Sequence, residues 1–137
     1  MSGAFDAVEA GLTSALQASA AVRAVLGDPV RLRRPGDPMP AFPFVEIVRH
    51  QVSERSGTGT PGEDHRVDLA VTGRDGEDVP VSAAREAVRA AVDDADLPMD
   101  GWRSILTLVV FIDVLTTPAG ASRTLMSVRV LLEPVSA

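Results

Sequence analysis

The segment from Pro43 to Val92 constrains this chain more than any other. Within it, His65, Val67, Leu69 and Val71 alternate with Arg66, Asp68, Ala70 and Thr72. A period of two places one set on each face of a strand, so the run reads as a half-buried antiparallel strand. The preceding run, Phe44–Val52, is also strand-like, and a polar stretch, Ser53–Asp64, joins the two. The pair reads as a hairpin with a long exposed loop. Gly73-Arg74-Asp75-Gly76 then turns the chain into an alanine-rich helical pattern. Asp78 suits the helix N-cap, and Pro80 falls in the first turn, where a missing N–H costs little. Val81, Ala84, Val88, Ala91 and Val92 form the apolar stripe of that helix.

Phe44–Val52 has mixed parity. Phe44, Val48 and Val52 share one phase, while Val45 and Ile47 hold the other. Such a pattern suits a strand buried partly on both faces, or one packed against a neighbouring subunit.

On the N-terminal side, Phe5, Val8, Leu12, Leu16, Val22 and Leu26 recur among alanines, which predicts one helix over Gly3–Leu26. Gly27-Asp28-Pro29 ends it. Val30–Arg33 is a short extended piece, and Pro35, Pro38, Pro40 and Pro43 make the next stretch a connector. On the C-terminal side, Arg103–Leu115 is the most hydrophobic run and predicts a long central strand. Pro118-Ala119-Gly120 marks a turn, and Arg123–Glu133 returns as the last strand. The expected fold is therefore α+β: a mainly antiparallel four-stranded sheet with two helices packed on one face. At 137 residues, a single domain spanning 1–137 is expected.

Composition narrows the functional classes. The chain has no cysteine, which removes disulfides and thiolate metal sites. No apolar run is long enough for a membrane helix. The N-terminus lacks the basic flank of a signal peptide, so the cytoplasm is the expected site of synthesis. A net charge of −6 argues against gripping phosphate backbones through the overall field.

Several motifs can be weighed on chemistry. Gly57-Thr58-Gly59-Thr60-Pro61-Gly62 matches G-x-G-x-x-G, but a dinucleotide site needs a helix N-terminus after it, and here a strand comes next. His50 and His65 flank the hairpin loop and could approach one another across it. Zinc needs three or four ligands, and no ligand spacing is recognisable around them. There is no G-x-S-x-G elbow for a nucleophile. Asp93, Asp94 and Asp96 cluster near a helix end without the spacing of a calcium loop. Arg31, Arg33 and Arg34 form a small basic patch suited to a phosphate, an acidic neighbour or solvent. The residues point to neither an enzyme nor a cofactor.

The layout resembles the tail-terminator (tail-completion) proteins of long-tailed phages and gene transfer agents. The resemblance rests on Ala24-Val25-Leu26-Gly27-Asp28, the connector into Pro43-Phe44-Val45, and the glycine-rich loop before Asp64-His65-Arg66-Val67-Asp68-Leu69-Ala70-Val71. It continues through the helix Ala83–Val92, Leu97-Pro98, and the last strand ending Leu131-Leu132-Glu133. Phe44 stands where the family often has a hydroxylated aromatic. The resemblance implies a structural, non-enzymatic virion protein, assembled in the bacterial cytoplasm, with no cofactor and no membrane contact. It implies a homo-oligomer, a hexameric ring, that caps the head-proximal end of the tail tube and stops its polymerisation. The implied partners are the major tail tube protein and a neck or head-completion protein. DNA would pass through the lumen without specific binding. Six copies at −6 each carry about −36, which repels phosphates if acidic groups face inward.

The expected assembly contacts are Glu54, Arg55, Thr58, Thr60, Glu63 and Asp64 on the hairpin, with Arg31, Arg34 and Arg123 elsewhere. Two alternatives stand beside this one. The first is a head–tail stopper or adaptor of the neck. The second is a small ligand-binding domain or enzyme using the His50/His65 region.

Overall fold

A computed structural model of the chain describes residues 3–54, 62–74, 78–117 and 120–135. The N-terminal helical region is two helices, α1 (Ala4–Ala18) and α2 (Ala20–Leu26), rather than one. Ser19 separates them in an extended conformation, and its Oγ accepts a hydrogen bond from Val22 N at 3.2 Å. The reason lies in the stripe itself. Leu16 and Val22 are six positions apart, which is out of phase on a continuous helix of 3.6 residues per turn. Breaking the helix at a serine, a good N-cap, lets Leu12 and Leu16 as well as Val22 and Leu26 reach the core. Gly11 brings α1 close to the segment at 97–99; a Cβ there would lie 3.2 Å from Leu97 Cβ and Pro98 O.

Among the described residues the sheet has five strands and is mixed, where the sequence suggested a mainly antiparallel one of four. The strands are β1 (Leu32–Arg33), β2 (Phe44–Glu54), β3 (Glu63–Thr72), β4 (Trp102–Thr117) and β5 (Gly120–Pro134). Their spatial order is β1-β2-β3-β5-β4. The added strand is β1, which pairs parallel to β2 through Leu32 with Val45 and Arg33 with Glu46. Two residues are too few to display a period, so the piece reads only as extended. The proline connector is what returns the chain for parallel pairing.

The first hairpin is longer than expected. Ser53 pairs with Asp64 and Glu54 with Glu63, so both ends of the supposed loop belong to the ladder. The mixed parity of β2 also has a local cause. A bulge between Ile47 and Arg49 inserts Val48, so Val45 and Ile47 before it and His50 after it all face the core side. At the start of the strand Phe44 and Val45 are buried on opposite faces, as expected of a strand covered partly on both sides. Asp75 and Gly76 of one expected turn, and Pro118 and Ala119 of the other, lie outside the described residues.

The third helix, α3 (Asp78–Val92), packs on β3, β4 and β5 and against α1 and α2. The core gathers Leu12, Leu16, Leu26, Val67, Leu69, Val88, Met126, Val128 and Leu132. Each such side chain contributes about 1.5–3 kcal/mol on burial. All three helices thus feed one core with the same face of the sheet. The other face carries Glu46, Asp64, Asp68, Arg123, Ser127 and Arg129, joined to one another by hydrogen bonds. None of the described helices is long and apolar enough to cross a membrane.

Candidate functional site

Three arrangements carry the polar and exposed chemistry. The first is a chain of hydrogen bonds on the helix-covered side of the first hairpin. Glu9 Oε2 lies 3.0 Å from His50 Nδ1, His50 Nε2 lies 2.6 Å from His65 Nδ1, and His65 Nε2 lies 2.8 Å from Glu63 Oε1. His65 is fully buried, and the His50 side chain is only 3% exposed. Phe5 stacks on His50 with ring centroids 4.0 Å apart. Each element's contribution follows from its period. Glu9 is one turn after Phe5 on α1, Glu63 and His65 share a face of β3, and His50 sits opposite Val67, diagonal to His65.

The chain of bonds has a definite proton stoichiometry. Three links in series need three bridging protons, and two neutral imidazoles bring two. Burial pushes the His65 pKa down, against the raising effect of its hydrogen bond to Glu63, while His50 also lowers it by charge repulsion. In the tautomer that puts the proton of a neutral His65 on Nε2, that nitrogen donates to Glu63 and Nδ1 is the acceptor toward His50. The histidines thus meet as the hairpin allowed, but in a line rather than around a point. No group of three or more His, Asp or Glu side chains that could hold a metal occurs among the described residues. Neither the hollow beside β1 nor the trough on the opposite face of the sheet touches either ring. The arrangement ties α1 to the hairpin.

The second arrangement is the face without helices. Arg129 holds Asp64 through Nη2 at 2.7 Å and Nε at 3.1 Å, and Ser127 Oγ donates to Asp68 at 2.6 Å. Glu46 receives both Arg33 at 3.0 Å and Arg123 at 3.3 Å. Gln51, Ser53, Asp64, Arg66, Val110 and Arg129 line a shallow polar trough of about 590 Å³.

The third arrangement is the rim of the sheet at β4. Its first half is covered: Asp94 N donates to Thr107 O at 2.8 Å, and Val109 N donates to Asp93 Oδ1 at 3.0 Å. The aspartates that looked like a loose cluster therefore cap a strand edge. Beyond Val109, the side chains of Val110, Phe111 and Val114 are exposed, Phe111 by 54%. Exposed apolar side chains along an uncovered edge are the mark of a contact surface.

The expected assembly contacts fall into three groups. Arg31, Glu63, Asp64 and Arg123 are engaged within the chain: Arg31 Nε donates to Pro43 O at 3.0 Å, and the other three bond as above. Glu54 and Arg34 are exposed and make no side-chain hydrogen bond or ion pair among the described residues. Arg55, Thr58 and Thr60 lie outside the described residues, as does most of the G-x-G-x-x-G stretch. That stretch leads into β3, not into a helix. Sequence reasoning missed Glu9 and the β4 rim. The i, i+2 spacing of Glu63 and His65 was a usable signal; nothing local links Glu9 to His50.

Comparisons with known proteins bear on these surfaces. A family model described as tail completion protein gp17 matches residues 10–133. None of the curated proteins compared matches the chain. Nine chains of solved structures match it. One, from a structure described as the virion of a native gene transfer agent particle, superposes with a TM-score of 0.81 at 22% identity. That match covers 96% of this chain and 99% of the other.

Proposed function

The chain belongs to the tail completion protein gp17 family, and from that premise we propose that it is a structural protein of a phage or phage-like particle. In this reading it forms a six-membered ring on the head-proximal end of the tail tube. The ring stops tube polymerisation and joins the tail to the neck, without catalysis and without a cofactor. It contacts the major tail tube protein on one side and a neck protein on the other. DNA passes through the lumen without specific binding.

The observation that carries the reading is the family match over residues 10–133, with the fold shared with a chain of a gene transfer agent particle beside it. The geometry agrees with it physically. A ring needs a closing contact between two unlike surfaces, and the two edge strands of this sheet differ in length and chemistry. The buried histidines sit under Phe5, away from the surface hollows, which suits a tie between elements rather than a reacting centre. Glu54, Arg55, Thr58 and Thr60 remain contacts to the tube or to neighbours in this reading.

Particles assembled without this chain test it. Tails of uncontrolled, excessive length that do not join heads are the expected result. Tails of normal length that merely fail to attach point instead to a stopper or adaptor. Complete infectious or DNA-carrying particles would refute both.

A further inference from the structure

The two rims of the sheet are complementary to one another. At one rim, β4 leaves Val110, Phe111 and Val114 exposed beyond its covered half. Asp113 is exposed between Phe111 and Val114, and the exposed Asp93, Asp94 and Asp96 follow along the covered half of the same strand at Val109, Thr107 and Ser104. The nearby Arg103 is already paired with Glu133. At the opposite rim, β1 and the end of α1 frame an apolar groove of about 470 Å³, with Leu16, Ala18, Pro29, Val30 and Leu32 among its lining residues. Arg31, Arg33 and Arg34 continue along that rim; Arg31 is held by Pro43 O and Arg33 by Glu46, Asp28 and Asp37 lie exposed nearby, and Arg34 has no side-chain partner among the described residues. β1 and β4 are the two ends of the strand order, so these surfaces face away from each other across the whole sheet.

We propose that the acidic, apolar β4 rim of one copy docks on the arginine-bearing β1 groove of the next copy. This inference rests on the ring reading above and says which surfaces close the ring. Both polarity and charge fit. Phe111, Val110 and Val114 supply exposed apolar side chains for the apolar groove. Aspartates on one rim meet Arg34, the rim arginine without a side-chain partner among the described residues, on the other. Like rims repel through their charges, so two β4 rims do not pair with one another. The contact is therefore heterologous, which is the type that propagates round a closed ring. It also covers the strand edge that a free copy leaves open.

The absence of native cysteine makes the test clean. A chain carrying both Asp113→Cys and Arg34→Cys is treated with a bis-maleimide at low protein concentration and in purified particles. The expected product is a ladder of covalent oligomers ending at the ring size, with no ladder from either single variant. Phe111→Glu is the second arm, with an expected loss of self-association of roughly tenfold or more; circular dichroism reports whether that variant stays folded. A self-linked dimer from Asp113→Cys alone would overturn the heterologous contact. An unlinked double variant that itself still forms rings would overturn the proposed surfaces and leave the ring standing. An unaltered chain that forms no ring, in solution or in particles, would overturn the ring itself.

Discussion

Replacing His65 and His50 singly and together by alanine probes the buried chain of hydrogen bonds. His65→Ala removes links of 2.6 and 2.8 Å and empties a fully buried site. It also strands His50 Nε2, which is closed from solvent, while Glu63, 28% exposed, regains water. An orphaned buried polar group costs about 1–3 kcal/mol, and truncating a core side chain of this size costs about 2–5 kcal/mol. A total near 3–5 kcal/mol is expected, toward the lower end if the site collapses. His50→Ala loses the links to Glu9 and His65 and the Phe5 stack, itself worth about 0.5–1.5 kcal/mol. Each single variant strands the other ring, and the double variant strands neither. The two single losses should therefore exceed the double loss by about 1–2 kcal/mol. Urea unfolding at neutral pH, monitored by circular dichroism with a common slope, measures all four stabilities. Additivity within about 0.5 kcal/mol would refute the direct contact between the rings.

Other outcomes rest on single features. Because burial lowers the His65 pKa, the unfolded chain binds a proton there that the folded chain resists. This residue's contribution is thus fully present above its ordinary pKa of about 6.5 and is lost as pH falls through the depressed value. Stability measured against pH should fall on the acid side in the parent, and less steeply in a His65→Ala chain. Thr124 is fully buried and its Oγ1 has no hydrogen-bond partner among the described residues, so Thr124→Val should raise the thermal midpoint, by roughly 1 kcal/mol of stability; a lowered midpoint would mean the hydroxyl is satisfied. Ser19→Ala removes the N-cap of α2 and should cost about 0.5–2 kcal/mol by denaturant titration, while Ser19→Gly should cost only a few tenths.

Much of this fold was readable where a pattern had room to repeat. The alternation in β3 placed Val67, Leu69 and Val71 in the core, and β5 placed Met126, Val128 and Val130 there too. The stripe of α3 is buried at Val81, Ala84 and Val88, as its spacing requires. What escaped was either too short or too distant. β1 has two residues, so it carries no period. The break at Ser19 was encoded in the six-residue step from Leu16 to Val22, which one long helix cannot place on a single face. The bulge at Val48 was encoded in the parity change, which fits two-sided burial equally well. The Glu9–His50 link joins residues 41 positions apart, and only the docking of α1 on the hairpin brings them together. The β4 rim is a matter of what lies next to a strand edge: the same hydrophobic run suits a central strand or an edge strand. Its place at the edge comes from the strand order.

A reconstruction of the intact particle, with this chain located at the junction of tail and neck, decides whether the ring exists and where it sits. The expected density is one ring of six copies seated on the last ring of the tail tube, with the β4 rim of each copy against the β1 groove of the next. Absence of the chain from purified particles, or a position on the head side with no contact to the tube, would contradict it.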